Sequence, residues 1–163
     1  MDDDVRAIFD AARARLADLP QEGLGRMTVP RRILGLARAP RIVPVGTAWH
    51  LGVLLVGEGS VMATGEITRA VDPGRRGYAA ESARHRAELR AAALRGGFQE
   101  GDTVHFGWTE LDVDAVARGE ASGPLSLVGG EPMIRWSASG GLAPLRGYLD
   151  ERIELLRHPP IGA

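Results

Sequence analysis

Residues 41–71 read RIVPVGTAWHLGVLLVGEGSVMATGEITRAV, and their chemistry decides the fold class. β-Branched and other apolar residues dominate three runs, 41–45, 49–56 and 60–71, set apart by Gly46-Thr47 and by Gly57-Glu58-Gly59. Such side chains fit a pleated surface and glycine-bearing breaks fit tight connections, so the stretch reads as an antiparallel meander. In the second run Trp49, Leu51, Val53 and Leu55 alternate with His50, Gly52, Leu54 and Val56. Apolar side chains fall on both sides, which predicts a strand covered on both faces. In the third, Val61, Ala63, Gly65 and Ile67 alternate with Met62, Thr64, Glu66 and Thr68, which predicts one dry and one wetter face.

Upstream, residues 21–40 are rich in Gly, Pro and Arg and read as an extended connection, a length at which loops are either functional or conceal a short element. Before it, Val5, Ile8, Phe9, Ala12, Leu16 and Leu19 recur at helical spacing, with Asp2, Asp3 and Asp4 complementing the helix dipole and Pro20 closing the helix. Downstream, the turn Asp72-Pro73-Gly74 leads to a helix over 78–95 that carries a thin alanine stripe and is closed by Gly96-Gly97. A strand follows over 102–111, then a short helical turn over 112–118. Residues 125–128 and 133–136, joined through Gly129-Gly130-Glu131-Pro132, read as a hairpin whose second strand lies near an edge, because proline cannot donate to a ladder. The last helix begins near Pro144 and buries Leu145, Tyr148, Leu149, Ile153 and Leu156. The expectation is a single α+β domain over 1–163: a largely antiparallel sheet of five or six strands with N-terminal, middle and C-terminal helices packed on it.

The chain has 163 residues, 44% hydrophobic, and a formal net charge of -1, so no general field draws it to nucleic acid or to an anionic membrane. No apolar run is long enough to span a bilayer, and the acidic opening lacks the basic flank of a signal peptide, so a cytoplasmic protein is expected. Every basic residue that is not histidine is arginine; lysine, cysteine and asparagine are absent. Without thiols there is no disulfide, cysteine nucleophile or thiolate metal ligand. Without lysine there is no Schiff base, serine–lysine dyad or Walker-type phosphate loop. No metal-ligand spacing stands out, so neither a cofactor nor a metal site is expected.

Three groups of residues carry the remaining chemistry. Arg69, Arg75, Arg76 and Gly77 lie in the connection from a strand to a helix start, where backbone amides and bidentate guanidinium groups suit a carboxylate or phosphate. His50 and His105 each sit on an expected strand; were those strands neighbours, both imidazoles could face the side of Glu66 and form an acid–base or metal cluster. Gly57, Gly59 and Gly65 superficially suggest a dinucleotide fingerprint, but the residues after them continue as strand where that motif requires a helix.

The segments 38–56 (RAPRIVPVGTAWHLGVLLV), 74–82 (GRRGYAAES) and 148–160 (YLDERIELLRHPP) resemble a group of small uncharacterised proteins of high-GC actinobacteria that are sometimes labelled glutaminase. The resemblance carries no catalytic motif, and the glutaminase chemistries that use a serine–lysine pair or a cysteine nucleophile need residues this chain lacks. The reading favoured by the residues is a noncatalytic binding or adaptor domain for a protein partner or a small anionic ligand, with a homodimer among the options. The rival is a small hydrolase using His50, His105 and Glu66 with an arginine anion clamp; nucleic acid is disfavoured by the near-neutral charge.

Overall fold

The computed structural model describes residues 4–32, 34–74 and 80–162. Its α+β architecture has four helices and ten strands among those residues: α1 (Val5–Leu16), β1 (Glu22–Thr28), β2 (Arg41–Leu51), β3 (Leu54–Val56), β4 (Val61–Ala63), β5 (Glu66–Arg69), α2 (Glu81–Gly96), β6 (Thr103–Phe106), β7 (Thr109–Glu110), α3 (Val113–Ala117), β8 (Leu125–Val128), β9 (Glu131–Arg135), β10 (Leu142–Pro144) and α4 (Leu145–Arg157). Strands are hydrogen-bonded in the order β5-β6-β1-β2-β3-β4-β7, a mixed seven-strand sheet, and β10-β9-β8, a separate three-strand sheet. No described helix is long and apolar enough to cross a membrane.

The chain divides into two compact units, Met1–Gln21 with Trp49–Thr64 and Thr109–Ala163, and Glu22–Ala48 with Gly65–Trp108. In the first unit, Asp4 caps α1 by accepting from the Arg6 N–H, and the apolar stripe Val5, Ile8, Phe9, Ala12 and Leu16 is buried. That stripe packs on α3 and α4 and shares one core with residues of β2, β3 and β4, while α4 reaches β9 and β10. The Tyr148 hydroxyl accepts from the Val53 N–H at 2.9 Å and donates to the Leu51 carbonyl at 3.1 Å, fixing the turn between β2 and β3 to α4. The same unit buries Leu51, Leu54, Val56, Leu125, Ile134 and Leu149 in one core.

In the second unit, β1 pairs antiparallel with β2 (Glu22↔Ala48 to Thr28↔Arg41, irregular at Leu24/Gly25) and parallel with β6 (Gly23↔Val104, Leu24↔His105). β5 pairs antiparallel with the other side of β6. The core is small: Ile42, Ala70, Ala92, Ala93, Val104 and Phe106. α2 approaches it closely because Gly96 has no side chain; a Cβ there would stand 1.7 Å from the Ile42 carbonyl oxygen. Gly97, at φ 115°, closes the helix with N–H groups at 97 and 98 on the carbonyls of Leu94 and Ala93, as its left-handed backbone favours.

Four expectations are sharpened or corrected. Residues 22–28 are strand β1, the short element concealed in the 21–40 connection; the sequence EGLGRMT lacks apolar alternation, and its parallel partner β6 is distant in the chain. The sheet is larger than five or six strands and mixed, because β1 and β6 run parallel. Gly46 lies inside β2 and the chain turns instead at Gly52-Val53, so the residues of 49–56 do not share two faces of one strand. Finally, β9 is the centre of its sheet, not an edge: β10 pairs with it only from Met133 to Arg135, leaving the flank beside Pro132 free of β10.

Candidate functional site

His105 lies on β6, held between Leu24 of β1 and Ile67 of β5, and is fully buried. Side chains alternate along a strand, so Glu22, two residues before Leu24, points to the same side as His105. The two meet: the Nε2 of His105 and a carboxylate oxygen of Glu22 are hydrogen-bonded, and the Glu22 side chain keeps about 35% of its exposure. With Glu22 accepting from Nε2–H, a neutral imidazole is set as the Nε2-protonated tautomer and its plane is fixed. The ring is buried on the middle strand of three, and the carboxylate is the half of the pair that reaches solvent.

His50, near the end of β2, belongs to the first unit; it is half-buried, and its Nε2 lies 2.9 Å from the carbonyl of Gly52 in the turn that ends the strand.

Glu66 does not join the Glu22–His105 pair. It stands opposite Phe106 across β5 and β6, hence on the face away from His105, and is exposed. The acidic partner is Glu22, which an alternation count along 60–71 could not find because it belongs to a strand 83 residues from the histidine. Of the arginine group, Arg75, Arg76 and Gly77 lie outside the described residues; Arg69 ends β5, exposed.

A comparison of the chain with protein-family models, curated proteins and solved structures gives no match. The remaining cavities are therefore weighed on chemistry alone. One of about 570 Å³ in the first unit is lined by Arg6, Asp10, Arg13, Ser60, Asp112 and Asp114. Its arginines are paired: Arg6 with Asp114 at 2.5 Å, and Arg13 with Asp10 at 2.9 Å and with the Gly57 carbonyl. The Asp114 carboxylate raises the pKa of Arg6 further above its ordinary value. Asp112 is spent on capping α3 through the Ala115 N–H. What remains for a ligand is chiefly the exposed Glu110 carboxylate.

Proposed function

We propose that this chain is a noncatalytic binding domain whose recognition centre is the Glu22–His105 pair of the second unit. The observation that carries the reading is the hydrogen bond between the fully buried His105 ring and the Glu22 carboxylate, which keeps about 35% of its exposure. A buried imidazole that holds a part-exposed carboxylate presents an acceptor already fixed in place, which suits a cation or a hydrogen-bond donor on a partner.

Isothermal titration of chelator-treated protein with Zn²⁺ tests this. Zn²⁺ serves as a probe cation that takes imidazole nitrogen and carboxylate oxygen, and Glu22→Gln should weaken its binding at least tenfold. Uptake equal in the wild type and the variant, or no uptake, refutes the site.

The second reading, a small hydrolase working by acid–base chemistry, is favoured by the Glu22–His105 pair, in which a carboxylate orients an imidazole as in hydrolytic triads. It requires that Glu22→Gln abolish turnover of an ester or amide substrate while the fold survives; retained turnover ends it.

A further inference from the structure

We infer that the groove between β5 and α2 is a second, independent ligand site, one that takes a small phosphate-bearing molecule through Arg69, Arg86 and Arg90. The groove encloses about 240 Å³ and is lined by these three arginines with Ile67, Thr68, Leu89 and Thr103. Its members come from fixed positions: Arg69 is the register partner of Thr103 at the end of β5, and Arg86 and Arg90 stand one helical turn apart on α2.

The groove's arginines differ from those that pair across the first unit: Arg6 with Asp114, Arg13 with Asp10, Arg15 with Asp150 and Glu154, Arg118 with Glu120, Arg157 with Asp18. Arg69, Arg86 and Arg90 have no ion pair and no hydrogen bond among the described residues. Three like charges in one concavity repel, and the chain as a whole, at a net charge of -1, has no cationic excess that would scatter them there.

Guanidinium forks match phosphate oxygens bidentately, and the hydroxyls of Thr68 and Thr103 can donate beside them. Thr68 is nearly buried, at 9% exposure. Ile67 and Leu89 give one wall an apolar surface, which suits a compact ligand carrying more than bare phosphate. The volume admits a diphosphate group or a phosphate ester and excludes a folded partner.

The experiment titrates the full chain with inorganic pyrophosphate at low salt, following heat and the ¹⁵N shifts of β5 and α2. Binding is expected with shifts confined to those elements, weakened about tenfold by Arg86→Gln or Arg90→Gln, the loss of one charge-assisted contact. Glu22→Gln should leave it unchanged, which separates this site from the Glu22–His105 pair. A nucleoside diphosphate binding more tightly than pyrophosphate would assign the apolar wall to its organic part; equal binding would assign the site to the phosphates alone, and either outcome supports it. No binding, equal binding by a variant with all three arginines changed to glutamine, or binding of duplex DNA without binding of pyrophosphate would overturn it.

Discussion

The first unit is filled by large side chains, Phe9, Leu16, Leu51, Leu54, Leu125, Ile134 and Ile153 among them, whereas the second gathers Ala70, Ala92 and Ala93 around Ile42, Val104 and Phe106. One gains stability mainly from apolar area removed from water, the other from backbones brought close over small residues. The difference teaches where each candidate centre had to be built. A fully buried, hydrogen-bonded histidine sits in the small-residue unit, where strands β5, β6 and β1 enclose His105 tightly, and not in the oily one, where a polar ring would displace leucine.

The contrast can be broken at three levels. Deleting volume should hurt the first unit most: Phe9→Ala should cost about 3–5 kcal/mol in urea unfolding, and a cost under about 1 kcal/mol would show that its core does not depend on close filling. Adding volume should hurt the second: Gly96→Ala places a carbon against the Ile42 carbonyl and should cost about 3 kcal/mol, at the upper end for overpacking. Fluorescence of Trp108 in a variant lacking Trp49 and Trp136 reads that change within its own unit, where Trp108 donates to the Gly25 carbonyl. An unshifted midpoint would mean that α2 can move away freely.

The smallest effect lies on the surface of the first unit. Arg157 donates to both carboxylate oxygens of Asp18, at 3.1 and 2.7 Å, and that hydrogen bonding holds the Asp18 pKa below its ordinary value. A depressed carboxyl contributes stability above the unfolded aspartate pKa and loses it as pH falls through the lowered value. The melting temperatures of wild type and Asp18→Asn should therefore differ slightly at neutral pH and converge in acid, the pair being solvent-exposed. A gap that persists at all pH values would assign the effect to something other than the ion pair.

How much of this was legible along the chain follows from what is local. α1 and α4 could be read because Val5, Ile8, Phe9, Ala12 and Leu16, like Leu145, Tyr148, Leu149 and Ile153, repeat at helical spacing. α2 could be read from its glycine stop despite a weak apolar face. β1 could not, because two glycines and an arginine interrupt its seven residues and its parallel partner β6 lies beyond a helix. His50 and His105 were visible as candidates, while Glu22 was hidden inside a stretch that read as loop. The arginine groove was half visible: Arg69 could be singled out, but Arg86 and Arg90 read as an ordinary solvated helix face until β5 was found beside them.

The first unit is assembled from three separated pieces of sequence, its opening helix α1 packing on α4 near the far end of the chain. During synthesis α1 leaves the ribosome long before α4 exists. Its Val5, Ile8, Phe9 and Leu16 must wait uncovered while the rest is translated, a vectorial burden that long-range contacts impose on any growing polypeptide. A nascent chain of this kind is a natural client for chaperones that shield apolar helices, and its yield on expression should respond to their supply more than its finished stability would suggest.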